Sequence, residues 1–282
     1  MQKITRNNHS FNVNPEGYER FWELFQSEKW EPETTKIFDV YINTNTTYLD
    51  IGAWIGPTLF YAANLADKCF AVEADPIAYE RLTENLKANE DQNWFSEVTL
   101  INKAVSDEPG TIQFGSQKQG GDSMSSILWG ELETSWRVKT ISVKDLLSKI
   151  TPASNNLFIK IDIEGSEFTM LGSLNDIFSL DNAIIFISLH NIFLKRSLEF
   201  KYKNLNYLQR FFKVRTEFTS IYRELFRFLP KNKICTINGR TLSQSSLIFI
   251  YIWLFCKPPN EKKFRDLLMI PKDLFYSEEL SS

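Results

Sequence analysis

Four groups of residues in this chain have the types and spacing to do chemistry. The first is Tyr48-Leu-Asp50-Ile-Gly52-Ala53-Trp54-Ile-Gly56-Pro57. Glycine at 52 and 56 lets the backbone turn sharply and lets a ligand approach with no Cβ in the way. A helix opening after such a turn adds amide donors and a positive dipole end that suits a carboxylate or phosphate. The second is Ala71-Val72-Glu73-Ala74-Asp75-Pro76, where an acid ends an apolar run about twenty residues downstream, a position from which a carboxylate accepts both hydroxyls of a ribose. It disfavours a phosphorylated ribose and so NADP, leaving NAD, FAD and S-adenosylmethionine. The third is Lys160-Ile-Asp162-Ile-Glu164-Gly165-Ser-Glu167. There Asp162 and Glu164 alternate with isoleucines and are expected to share one side of a strand end, the isoleucines packing inside. Acids ending an apolar strand are costly unless they are bonded, paired or bound to something, and capping of a following helix is the plainer use for one of them. The fourth is His190 in Ile-Ser188-Leu-His190-Asn191. An imidazole with a near-neutral pKa can take a proton from an attacking hydroxyl, although a hydrogen-bonded core histidine is the plainer alternative.

For these groups to meet, each must stand at the carboxyl end of a strand in one open sheet. From Thr47 onward short apolar runs alternate with amphipathic segments, the sequence form of an α/β fold with a parallel sheet covered on both faces. Strands are expected at Thr47–Ile51, Cys69–Glu73, Val98–Asn102, Leu157–Ile163 and Ile184–Leu189, with helices at Pro57–Ala66 and Pro76–Asn89. Short strands at Thr111–Phe114 and Arg137–Ile141 bracket a polar insertion rich in glycine and serine, of a length more often functional than idle. Helical spacing of Tyr18, Phe21, Trp22 and Phe25 predicts a helix over Pro15–Lys29, and a second runs from Pro32 to about Ile42. Residues 1–45 therefore read as an N-terminal helical cap, and 46–282 as a ligand-binding domain with a C-terminal extension. In that extension Phe211–Phe218 and Leu247–Phe255 read as strands. Between them lies a basic stretch, Arg210 to Lys233, whose plainer reading is a solvated helix face; its other readings are a lid or a contact with anionic lipid or glycan.

The motifs Asp50-Ile-Gly52-Ala53, Glu73 and Lys160 to Glu167 resemble those of the FkbM-type S-adenosylmethionine-dependent methyltransferases. The similarity runs from Trp30-Glu31-Pro32-Glu33-Thr34 through Ser188-Leu189-His190, more than half the chain. It implies a class I methyltransferase sheet, Rossmann-like, with five parallel strands closed by a C-terminal antiparallel hairpin. It implies that Asp50, Gly52, Ala53 and Gly56 surround the methionine part of S-adenosylmethionine, with Asp162 close by. Glu73 and Ala74 then lie at the ribose, Asn102-Lys103-Ala104 at the adenine, and Gly121-Asp122-Ser123 with Ser125-Ser126 near the cofactor. The expected activity is methyl transfer to a hydroxyl oxygen of a sugar, glycan or other small polar acceptor, with His190, Asp162 and Glu164 facing that acceptor. Asp162, His190 and Asn191 also stand where catechol-type O-methyltransferases hold a divalent ion, and their donor types suit one.

Composition agrees with an ordinary globular protein. Of 282 residues 43% are hydrophobic and 24% charged, enough for a sizeable core. A formal charge of -3 with no extended basic tract argues against nucleic acid. Three widely spaced cysteines, Cys69, Cys235 and Cys256, form neither a disulfide framework nor a zinc knuckle. No secretory signal is seen in Met1–Asn14, and Leu247–Cys256 is about half the length of a membrane-spanning helix, so a cytoplasmic location is expected. Two rival functions remain. An NAD-dependent oxidoreductase needs a dinucleotide glycine spacing that this chain lacks. A non-catalytic cofactor-binding partner in a glycan-assembly complex would bind the cofactor without needing Asp162 or His190.

Overall fold

The computed structural model describes residues 1–116, 120–121, 135–150, 156–227, 229–256 and 264–275. It opens with a hairpin, β1 (Gln2–Arg6) and β2 (His9–Val13), followed by α1 (Glu19–Gln26) and α2 (Pro32–Tyr41). The hairpin corrects the purely helical reading of residues 1–45. Its polar composition hid an alternation in which Ile4, Arg6, Phe11 and Val13 turn inward. The buried Arg6 guanidinium donates to the carbonyls of Trp30, at 2.8 Å, and Glu31, at 3.2 Å, tying the hairpin to the loop before α2. Asn85 and Asn89 accept from the backbone amides of Asn14 and Asn12, each at 2.7 Å, so β2 is also fastened to the body of the fold.

Next come β3 (Thr46–Ile51), α3 (Pro57–Ala63), β4 (Lys68–Glu73), α4 (Pro76–Lys87) and β5 (Val98–Asn102). A small three-stranded sheet follows from β6 (Ala104–Ser106), β7 (Thr111–Gly115) and β8 (Ser135–Ser142), in the order β6-β8-β7, and leads into α5 (Val143–Ile150). The chain returns to the main sheet with β9 (Asn156–Ile161), α6 (Leu171–Phe178) and β10 (Ala183–Ser188). After α7 (Asn191–Lys201) and α8 (Tyr207–Arg227) it adds β11 (Lys233–Ile237), β12 (Arg240–Leu242), α9 (Gln244–Cys256) and β13 (Asp266–Pro271).

The described strands form an eight-stranded mixed sheet ordered β12-β11-β13-β10-β9-β3-β4-β5. Its five strands β10, β9, β3, β4 and β5 are parallel, and β13 runs antiparallel beside β10 with β11 antiparallel beside β13. This is the α/β class I methyltransferase arrangement that the resemblance implies, with the antiparallel pair separated by α9 instead of joined in a hairpin. Alternate residues feed two cores. Leu49, Ile159, Ile185 and Met269 face one, with α5 to α9, while Tyr48, Phe158, Phe186 and Leu268 face the other, with the hairpin and α1 to α3.

Two expected strands are helices. In the stretch containing Phe211–Phe218, buried Val214, Phe218, Tyr222, Leu225 and Phe226 fall on one face of α8 at spacings of three, four and one. Leu247–Phe255 lies in α9, where an unbroken apolar run left the period unreadable and its aromatic and β-branched content favoured a strand. Its helical signal is the serine ahead of it: Ser243 Oγ accepts from the Ser246 amide at 3.2 Å, as an N-cap does. The antiparallel strands are instead Lys233–Ile237 and Asp266–Pro271. Among the described residues no helix is long and apolar enough to cross a membrane.

Candidate active site

The turn after β3 is built on close backbone approach. Gly52 has φ +89°, and a Cβ there would collide with the carbonyl of Asp162 on the neighbouring strand's exit loop. Gly56 has φ +96°, and its Cβ would run into the rings and methyls of Phe60 and Leu82. Between them Trp54 has φ 49°, a conformation bulky residues rarely adopt. Its amide donates to Glu73 Oε2 at 2.8 Å and its indole Nε1 to the Gly121 carbonyl at 3.0 Å. Asp50 is fully buried and accepts from Tyr48, at 3.0 Å, and Thr58, at 2.8 Å, while Lys160 Nζ stands 3.4 Å from its other oxygen. Burial pushes the Asp50 carboxyl up, and the Lys160 ammonium opposes that shift.

A pocket of about 540 Å³ opens at these strand ends. Ile51, Gly52, Trp54, Asp162, Ile163 and Glu164 line one side and Glu73, Ala74, Lys103 and Ala104 the other, with Phe114 of β7 also in its wall. Glu73 ends β4 with both carboxylate oxygens engaged, Oε2 by the Trp54 amide and Oε1 by the Asp75 amide at 2.7 Å. Burial nonetheless raises its pKa to about 7. Asp75 caps α4 and accepts the Gly121 amide at 2.7 Å, bringing the Gly120–Gly121 end of the insertion to the site. Asp122, Ser123, Ser125 and Ser126 lie outside the described residues.

Five described residues expected at or near the cofactor, Asp50, Ala53, Gly56, Asn102 and Gly121, are not in this lining. Asp50 turns into the core to order the turn, Gly56 is required by packing, and Ala53 faces a second pocket.

At the end of β9 the chain leaves the sheet after Ile161. Asp162 and Glu164 therefore do not meet by strand alternation. They are brought together by a turn in which Glu164 (φ 52°) and Gly165 (φ 92°) are both left-handed, and Ile163, half-buried against the core, also lines the pocket. Neither acid caps the short 3-10 turn Ser166–Thr169, which has no side-chain cap. Glu167, fully buried, accepts the Ile163 amide at 3.1 Å and stands 3.1 Å from His190 Nδ1. His190 Nε2 lies 3.5 Å from Asp162 Oδ1 and 3.3 Å from Glu164 Oε2.

Burial alone would lower the His190 pKa, but Glu164, Glu167 and Asp162 raise it to about 10. Burial lifts Glu164 to about 8, whereas Lys160 overrides burial to hold Asp162 at about 2. His190 is 5% exposed and lies behind the two acids, outside the lining of either pocket. Asn191 is turned away from the cluster, its side-chain oxygen taken by the Tyr222 hydroxyl.

A second pocket, of about 670 Å³, adjoins the first and shares Gly52, Trp54, Asp162 and Glu164 with it. Phe21, Trp30 and Trp54 give it aromatic surface, and Glu31, Lys160 and Arg265 give it charge. Arg265 reaches Glu31 at 2.6 Å and Asp266 at 2.9 Å. Sequence reading missed Phe21, Trp30, Glu31, Glu167 and Arg265 as site residues. The local hints were Glu167, inside the Lys160–Glu167 motif, and Trp30-Glu31 ahead of Pro32, where Glu31 is a left-handed residue (φ 41°) at the start of α2.

The model of the FkbM methyltransferase domain matches residues 50–226. No curated protein matches the chain. Among solved structures, the methyltransferase FkbM from Methylobacillus flagellatus KT is 13% identical with a TM-score of 0.44, over 92% of this chain and 56% of that one. The chain thus spans little more than half of that protein's length. The O-methyltransferase from Bacillus cereus in complex with SAH is 15% identical with a TM-score of 0.41, over 90% of each chain.

Proposed function

The chain belongs to the FkbM methyltransferase family, and on that premise we propose that it transfers the methyl group of S-adenosylmethionine to a hydroxyl oxygen of a sugar, glycan or similar small polar acceptor. The observation that carries this reading is the seam of Gly52, Trp54, Asp162 and Glu164, which belongs to two adjoining pockets of different character.

The first pocket suits the donor. Each oxygen of Glu73 already holds one backbone amide and keeps a second lone pair, so the carboxylate can still take two ribose hydroxyls. Adenine has Ala74, Lys103, Ala104 and Phe114 to lie among, and the sulfonium end would lie toward Gly52 and the seam. The second pocket suits the acceptor. Aromatic faces cover the apolar side of a sugar ring while Glu31, Lys160 and Arg265 bond its hydroxyls. The oxidoreductase reading falls with the family.

Displacement at a sulfonium asks the protein mainly to align the acceptor oxygen with the methyl carbon. The oxygen forms its bond to that carbon, the carbon–sulfur bond breaks and its electrons stay on sulfur, and S-adenosylhomocysteine leaves neutral. The hydroxyl proton passes to a carboxylate of the seam, Asp162 or Glu164, which line both pockets, and His190 positions these acids. The test is transfer of labelled methyl from S-adenosylmethionine across panels of sugars, nucleotide sugars and lipid-linked glycans. Labelled methyl ether on a member of the panel is the expected product. Tight donor binding with no transfer to any hydroxyl acceptor, or transfer to nitrogen or carbon, would overturn the reading.

A further inference from the structure

We propose that Asp162, Glu164 and His190 form a binding site for a divalent cation at the seam between the two pockets. One ligand atom from each lies within 4.8 Å of the others. His190 is already oriented for the task. Its Nδ1 is held by Glu167, which fixes the ring and directs Nε2 between the two acids, as second-shell carboxylates do for metal-binding histidines. That Nε2, on a residue 95% buried, makes no hydrogen bond, and Asp162 Oδ1 is likewise buried without one. Buried polar atoms aimed at one point with nothing between them are costly unless something is bound there.

Charge points the same way. Among the described residues the connected cluster holds the carboxylates of Asp50, Asp162, Glu164, Glu167, Glu31 and Asp266 against two permanent cations, Lys160 and Arg265. Lys160 is divided between Asp50 and Asp162, and Arg265 between Glu31 and Asp266, and the group in direct ion-pair contact with Glu164 and Glu167 is the imidazole. Two carboxylates and one imidazole make a mixed oxygen and nitrogen donor set, which suits Mn²⁺ or Zn²⁺ better than Ca²⁺. Asp162 and Glu164 line both pockets, so the remaining positions of the cation face the ligands, where water or the acceptor hydroxyl completes the shell. The role of the cation, making that hydroxyl more acidic, rests on the methyl-transfer reading; its binding does not.

The test is titration of the chelator-treated full chain with Mn²⁺, followed by calorimetry and electron paramagnetic resonance, with Zn²⁺ and Mg²⁺ as parallel titrants. One Mn²⁺ per chain is expected, with nitrogen hyperfine coupling from an imidazole in pulsed spectra. Glu164→Gln and His190→Gln should each weaken binding tenfold or more, His190→Gln should abolish the nitrogen coupling, and Glu167→Gln should weaken binding by roughly 10–100-fold. Should a variant fail to fold, the nitrogen coupling in the wild type still decides. No stoichiometric binding of any of the three ions, or binding without imidazole coupling, overturns the site. Metal binding without methyl transfer would leave the site standing and sink the proposed activity, whereas full transfer by metal-free protein would leave the activity standing and sink the cation's role in it.

Discussion

Glu73 offers the sharpest perturbation because its carboxylate serves two turns and one ligand. Glu73→Gln keeps the shape but replaces one acceptor oxygen with an NH₂ donor, which must then face either the Trp54 or the Asp75 amide and loses the ribose hydroxyl on that side. A hydrogen bond to a charged group contributes about 1.5–3 kcal/mol, so S-adenosylmethionine should bind roughly ten- to a hundredfold more weakly. The wild type should also show a pH signature. With a free-protein pKa of about 7 and binding to the ionised form, affinity should fall by about 30-fold between about pH 8.5 and about pH 5.5, and the variant should lose that dependence.

Stability should move in the opposite sense. A carboxyl raised from 4.5 to about 7 favours the folded state when protonated. Its contribution is therefore present below about pH 4.5, lost as the pH rises to about 7 and constant above that, a change of about 3 kcal/mol. Relative to Glu73→Gln, the ligand-free wild type should become less stable across that window. Calorimetric affinities and urea unfolding at several pH values measure both effects. Donor affinity that is flat with pH in the wild type and unchanged in a folded Glu73→Gln protein would refute the argument and remove Glu73 from the site.

Three other substitutions probe the architecture around it. Gly52→Ala forces a left-handed alanine against the Asp162 carbonyl and should cost more than about 2 kcal/mol in urea unfolding; wild-type stability would mean the strand ends are less closely apposed. Lys160→Met strips the buried Asp50 of its cation and should cost about 3–5 kcal/mol, most of it recovered in the double variant with Asp50→Asn; equal loss in the double variant would show that Lys160 acts through packing alone. Trp30→Ala should raise the acceptor KM by about tenfold while leaving donor affinity within about twofold, and a matching loss of donor affinity would unseat the division between the pockets.

The parallel strands and the small-sheet strands β7 and β8 were legible because their apolar runs are short and bounded by turn residues or by acids. The hairpin was not, since Gln2–Arg6 buries an arginine where an alternating strand would normally place an aliphatic residue. Nor were α8 and α9, one read with the wrong period and the other without any period to read. At the site, Gly52, Glu73, Ala74, Lys103, Ala104, Asp162 and Glu164 come to one pocket from motifs that are each contiguous in sequence. Asp50 and Gly56 belong to the same motif and serve it from behind: an acid or glycine in such a turn carries no mark of whether it faces ligand or core. His190 reads as a base by residue type; the three acids around it raise its pKa, and it lies outside the lining of both pockets.

Donor and acceptor walls differ in how the chain makes them, and this bears on where specificity lies. The donor wall comes from consecutive strand ends of one sheet, so any sequence that forms the sheet in this register also forms most of the wall. The proposed acceptor wall adds to the turn after β3 and the end of β9 residues from α1, the loop before α2 and the residue before β13, with Glu31 and Arg265 joined across 234 positions of sequence. Those elements are held by contacts that the sheet does not require, such as Arg6 on the Trp30 and Glu31 carbonyls. Changes in the N-terminal hairpin and cap can therefore reshape the acceptor pocket while Glu73, Gly52 and the seam stay as they are. Selection for a different hydroxyl acceptor would act first on Phe21, Trp30, Glu31 and Arg265, and only then on the residues that meet the methyl group.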